Sequence, residues 1–151
     1  MYKKILFTSC LTDYCEHIFK VALQLAKENN AKLWIYHGLE TGSASDAPSE
    51  DDIKAAEARL KESCVDKMKA QDFSNYMINV SAGNPVREIT TLARNANIDV
   101  IVMGTSTRTP TAAAESAQSL RLGPVVSEVL LAAPCPVLVV PPHLVPGLAR
   151  G

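Results

Sequence analysis

Apolar, β-prone runs alternate along the chain with segments of helical period, the arrangement that builds a parallel sheet covered by helices on both faces. Residues 3–9 read as strand one, and Asp13 with Glu16 three positions on supplies the acidic cap and third-position Glu that start a helix. Ile18, Val21, Ala22, Leu25 and Ala26 then recur at spacings of three and four, so this helix carries one apolar stripe to about Asn29. Strand two is predicted over 32–39. After a Gly, Ser, Ala and Pro loop, Ile53, Ala56, Leu60, Cys64 and Met68 mark one long amphipathic helix over 50–72, its charged faces reading as solvated surface.

Residues 76–81 alternate as a strand, and Gly83-Asn84-Pro85 offers a turn, a helix cap and a proline suited to the first helical position of a third helix ending near Asn95. Val100-Ile101-Val102-Met103 is apolar throughout, as befits a strand buried on both faces, and ends at Gly104. Pro124, Val125, Val126, Val129, Leu130 and Ala133 outline a last helix, and 137–140 is strand five. Five strands and four helices are expected, within one domain over 1–142 followed by a tail, 143–151, with no fold of its own.

Composition excludes more than it assigns. The 151 residues are 47% hydrophobic and 21% charged, as in an ordinary globular protein. Fifteen Lys and Arg against sixteen Asp and Glu leave a net charge of −1, without the basic field that holds a protein to nucleic acid or anionic lipid. The N-terminal apolar run is too short for a signal-peptide core, and the longest run, interrupted by Pro134, Pro136, Pro141 and Pro142, falls short of the roughly 20 residues of a spanning helix. A cytoplasmic protein with neither nucleic acid nor a membrane as partner is the expectation. In that compartment Cys10, Cys15, Cys64 and Cys135 are expected as thiols; they form no CxxC pair, and His17, His37 and His143 make no metal-ligand spacing with them.

Lys4-Ile5-Leu6, Gly83-Asn84-Pro85-Val86-Arg87-Glu88-Ile89, the run from Asp99 through Gly104 to Thr105, and Pro134-Cys135-Pro136 followed by Val137, Leu138, Val139 and Val140 together resemble the universal stress protein family over residues 3–142. The resemblance implies a Rossmann-like fold of the adenine nucleotide alpha hydrolase type, with sheet order 3-2-1-4-5 and a ligand crevice at the topological switch between strands one and four. It places Ser9, Cys10 and Leu11 on one lip, Gly38 at the end of strand two, and Met103, Gly104, Thr105, Thr107, Arg108, Gly123, Pro124 and Val125 on the other.

ATP-binding members of the family carry Gly-x-x-Gly, nine residues, then Gly followed by Ser or Thr. Here Gly104 and Gly123 match the first and third glycines, Thr107 stands at the second, fifteen residues follow it, and Pro124 replaces the Ser or Thr. Proline there removes a hydroxyl and a backbone N–H from the helix start that would cradle a phosphate, and Cys10 stands where those relatives place an Asp. Arg108 remains able to meet an anion.

Cys10 and Cys15 read either as small buried apolar residues or as thiols whose thiolate a helix N-terminus stabilises; the former is preferred for want of a partnered base. The histidines read as solvent or packing residues. Residues 110–122 read either as a short helix lidding the crevice or as a loop whose Thr and Ser accept phosphate, with helix propensity favouring the first. No Ser, His and acid set suggests catalysis.

Two functions of different class are therefore expected. The first is a dimeric stress-response adaptor, paired through Val137, Leu138, Val139 and Val140, whose degenerate crevice has lost ATP chemistry and whose output is interaction with a client protein. The alternative is a nucleotide-responsive module that takes ATP, AMP or a related anion through the altered strand-four loop.

Overall fold

The computed structural model of the chain describes residues 1–9, 13–39, 49–105 and 122–141. Its strands are β1 (Lys4–Ser9), β2 (Lys32–Leu39), β3 (Tyr76–Ala82), β4 (Val100–Gly104) and β5 (Val137–Val140), all parallel, in the order β3-β2-β1-β4-β5. Ile5, Leu6 and Phe7 of β1 and all of β4 are buried, because these strands lie in the middle of the sheet under helices on both sides.

The helices are α1 (Asp13–Asn29), α2 (Glu50–Leu60), α3 (Asp66–Ala70), α4 (Pro85–Asn95) and α5 (Pro124–Ala132). On one face α1, α2 and α3 seal a core in which Tyr14, Ile18, Phe19, Leu23, Leu60 and Met68 meet Ile5, Phe7, Leu33, Ile35, Val100 and Val102. On the other, Ile89 and Ala93 of α4 and Val126 and Val129 of α5 cover Leu6, Tyr36, Ile101 and Met103. At about 1.5–3 kcal/mol for each large apolar side chain removed from water, these two layers supply the main force holding the sheet.

The single helix expected over 50–72 is instead α2 and α3 joined by a π-helical segment, Lys61–Val65. There the Ser63 hydroxyl donates to the Arg59 carbonyl at 2.9 Å, a competing bond of the kind that loosens a helical ladder. The insertion keeps Leu60, Cys64 and Met68 all buried against the sheet.

Both N-caps form where the chain supplies the side chain. Ser49 and Asp52 make a reciprocal capping box at α2, and Asn84 accepts from the Arg87 N–H ahead of Pro85 at α4. Asp99 performs a task its position did not announce: its Oδ2 accepts from the Lys3 and Lys4 N–H groups at 2.8 and 2.9 Å, tying the start of β1 to β4.

The expectation for the cysteines is corrected as well. Cys15 is disulfide-bonded, not a thiol, whereas Cys64 and Cys135 are free. Residues 110–122, read as a short helix or a loop, lie outside the described residues apart from Leu122, and so does the tail over 143–151. Among the described residues no helix is long and apolar enough to cross a membrane.

Candidate functional site

The strand order reverses between β1 and β4, so their carboxyl ends, Ser9 and Gly104, flank the crevice where an open α/β sheet takes its ligand. The residue that organises this end is Tyr14, in the first turn of α1 and fully buried. Its hydroxyl donates to the Val140 carbonyl at 2.7 Å and accepts the Thr105 N–H at 2.8 Å, with the Thr105 Oγ1 3.2 Å away. One phenol thereby ties α1 to the ends of β4 and β5 and engages the first backbone N–H after β4.

Gly104 is shaped to this phenol. A Cβ there would lie 2.6 Å from Ile18 Cδ1, 2.7 Å from the Tyr14 hydroxyl and 2.8 Å from Tyr14 Cε1, so the space its missing side chain leaves is filled by α1. Met103 is buried in the core beneath α4 and α5, while Thr105 is half-buried at the rim.

Gly123 returns to the same point, its N–H donating to the Thr105 carbonyl at 2.7 Å, which brings the two ends of the β4–α5 connection together. It stands as the N-cap of α5 with no side-chain cap, and Pro124 follows at the first helical position with no N–H to give. Val125, the next residue, is half-buried. Two of the donors that make a helix start an anion cradle, a capping hydroxyl and the first N–H, are thus missing from α5.

On the other side of β1, His37 is half-buried with Nδ1 3.4 Å from the Ser9 carbonyl. Burial pushes its pKa below the ordinary imidazole value and the Arg59 charge pushes the same way, while the bond to Ser9 opposes them, so the ring is neutral at pH 7. Gly38 follows, and a Cβ on it would come 2.8 Å from the hydroxyl of Tyr36, which leans over it on the α4 side.

The structure therefore brings Ser9, Gly38, Gly104, Thr105, Gly123 and Pro124 to one end of the sheet. Cys10, Leu11, Thr107 and Arg108, also expected at the crevice, lie outside the described residues. Tyr14, which makes three of the polar contacts there, lies in the helix start that Asp13 and Glu16 mark in the sequence. Burial raises the Cys64 thiol to about 11 and raises Cys135 as well, so neither is poised as a nucleophile. Among the described residues no group of three His, Cys, Asp or Glu could hold a metal ion.

The sequence model of the universal stress protein family matches residues 1–141. The chain belongs to that family. A universal stress protein of Methanocaldococcus jannaschii is 28% identical over 146 residues, covering 93% of this chain and 82% of the relative. Among solved structures, a universal stress protein in complex with cAMP superposes with a TM-score of 0.71 at 23% identity, over 92% of this chain and 97% of the other. A universal stress protein from Archaeoglobus fulgidus in complex with dAMP gives 0.65 at 18% identity, over 92% and 97%. These likenesses bear out the fold, including the sheet order that the family resemblance implied. Within this universal stress protein fold the Tyr14 bridge and the proline-headed α5 lie at the same end of the sheet.

Proposed function

We propose that this universal stress protein is a dimeric, cytoplasmic stress-response adaptor whose crevice no longer performs ordinary ATP chemistry and whose output is contact with a client protein. The observation that carries the reading is the Tyr14 bridge: the Thr105 N–H is engaged by a phenol and the space over Gly104 is filled. Pro124 removes a further donor from the start of α5. An anion entering there would have to displace a buried hydrogen bond before gaining one.

The alternative is a nucleotide-responsive module taking ATP, AMP or a related anion, and it draws support from the structural neighbours held with cAMP and dAMP. Titration calorimetry with ATP and magnesium separates the two. The adaptor reading expects no binding, or a Kd weaker than about 1 μM, the affinity worth about 8 kcal/mol. Tighter binding would establish the nucleotide module in its place.

A dimer through β5 is the reading supported by the position of that strand at the edge of the sheet, since edges are normally paired or covered. Leu138 is 41% exposed there and Leu131 of α5 is 90% exposed. Leu138→Lys puts a charge on an already accessible position, so the fold should be kept. Light scattering after size exclusion is expected to fall from twice the chain mass to once, with dimer affinity reduced at least about tenfold, or about 1.4 kcal/mol. An unchanged dimer would remove β5 from the interface.

A further inference from the structure

Cys15 carries a disulfide, and of the four cysteines in the chain Cys64 and Cys135 are free. Within one chain that leaves Cys10, five positions earlier and outside the described residues, as the cysteine to pair with it. In a reducing cytoplasm such bonds are seldom permanent; those that form are usually transient and serve catalysis or redox sensing. A ring closed by so few residues is also a weak staple, because the loop-closure entropy it removes from the unfolded chain grows with loop length.

The place of the bond gives it a different use. Cys15 is 4% exposed, lies in the first turn of α1 and packs in the core between that helix and the sheet. Its neighbour in the chain is Tyr14, whose hydroxyl donates to the Val140 carbonyl and accepts the Thr105 N–H. A covalent tie at Cys15 therefore holds the turn from which the ends of β4 and β5 are bridged.

The free thiols do not compete with this bond. Burial pushes Cys64 up to about 11 and raises Cys135 as well, and the thiolate is the form that exchanges with a disulfide.

We propose that the Cys15 disulfide is a reversible redox modification site, holding the Tyr14 bridge when oxidised and releasing it when reduced, with a small thiol and its disulfide as chemical partners. Because Cys15 is enclosed, the thiolate of the reductant attacks the other sulfur of the bond. The S–S bond breaks, and Cys15 leaves with the electron pair and takes up a proton. A second reductant thiolate attacks the resulting mixed disulfide, and the freed Cys10 sulfur is protonated in turn. The protein gains two electrons and two protons while two reductant thiols become one disulfide, and oxidation runs the same exchange in reverse. The proposal rests on the cytoplasmic reading, since in an oxidising compartment the same bond would stay closed.

The full chain and Cys10→Ser are equilibrated in glutathione buffers from fully reduced to fully oxidised. Alkylation and peptide mass spectrometry then map the thiols, and NMR follows amide exchange at Thr105. Cys15 is expected linked to Cys10 in the oxidised buffers and alkylated in the reduced ones, with Cys64 and Cys135 in one state throughout. Exchange at Thr105 should quicken about tenfold on reduction, while Ile101, whose N–H is held by the Pro136 carbonyl at 3.0 Å, changes little. Cys10→Ser should exchange quickly at Thr105 in every buffer. A bond that no glutathione buffer opens, or Thr105 exchange indifferent to its state, leaves only a structural staple and overturns the switch while the cytoplasmic reading stands. Alkylation at harvest of cells expressing the full chain, with and without diamide to oxidise their glutathione, reads the compartment. Thiols that become a disulfide on diamide support switch and compartment together. A bond already complete in untreated cells, with exchange in vitro intact, overturns the cytoplasmic reading and the switch with it.

Discussion

Gly104→Ala is expected to destabilise the fold by about 3 kcal/mol, a large effect for the addition of one methyl group. The new Cβ would sit within 2.6–2.8 Å of Ile18 and Tyr14, both fully buried in the core between α1 and the sheet. Something must shift, and both side chains are already enclosed by the core. Overpacking alone costs about 1–3 kcal/mol, and any shift of the phenol also loosens its bonds to Thr105 and Val140, each worth about 1 kcal/mol. Urea unfolding at fixed protein concentration measures the difference. A loss below about 1 kcal/mol would mean that the carboxyl end of β4 is open and that Gly104 is kept for ligand approach instead. Gly38→Ala offers an internal comparison, since its Cβ meets the end of a single phenol, and should cost less.

The contrast between these glycines shows how far the chain could be read without its structure. Strands β2 and β5 fall on the residues their patterns mark, 32–39 and 137–140, because alternation and turn residues bound them locally. The cap at Asn84 was legible for the same reason: the capping side chain and the N–H it accepts are three residues apart. The π segment was not legible, because Leu60, Cys64 and Met68 at spacings of four satisfy an unbroken helix equally well. Compartment reasoning assigned thiols to every cysteine, and Cys15 departs from it.

At the site, what escaped is what depends on distance along the chain. Tyr14 bonds to groups 91 and 126 residues away, and Asp99 to residues 95 and 96 away, so no local pattern announces either. Trp34, Tyr36, Asn79 and Ser81 fit the alternation of strands, and only packing decides that their polar atoms are enclosed. The family glycines were legible as letters. Their purpose was not, because a missing Cβ admits a phosphate or a neighbouring helix equally well, and at Gly104 the helix occupies the space.

Tyr14→Phe should separate stability from binding, moving them in opposite directions. Removing the hydroxyl leaves the Val140 carbonyl without its 2.7 Å donor at a buried point and the Thr105 N–H without its 2.8 Å acceptor at the half-buried rim. An unsatisfied buried group costs about 1–3 kcal/mol, so a net loss of about 2–3 kcal/mol is expected once the phenol's own desolvation is recovered. For a chain of this length that corresponds to a fall in Tm of roughly 4–12 °C. The phenyl ring still fills the space beside Ile18, so the fold should survive. The same change frees the Thr105 N–H at the mouth of the crevice. A hydrogen bond to a charged phosphate contributes about 1.5–3 kcal/mol, so ATP affinity should rise roughly tenfold or more over the parent. A merely structural tyrosine would lower stability and leave ATP binding where it was, and that pair of results would sink the claim that Tyr14 is what closes the crevice to phosphate. Combined with Gly104→Ala, the two costs should not add, because the absent hydroxyl is one of the atoms the new Cβ would strike. A double variant destabilised by the full sum of the single changes would show that the strain of Gly104→Ala falls on Ile18 and on the ring carbon Cε1 that phenylalanine keeps, and not on the hydroxyl.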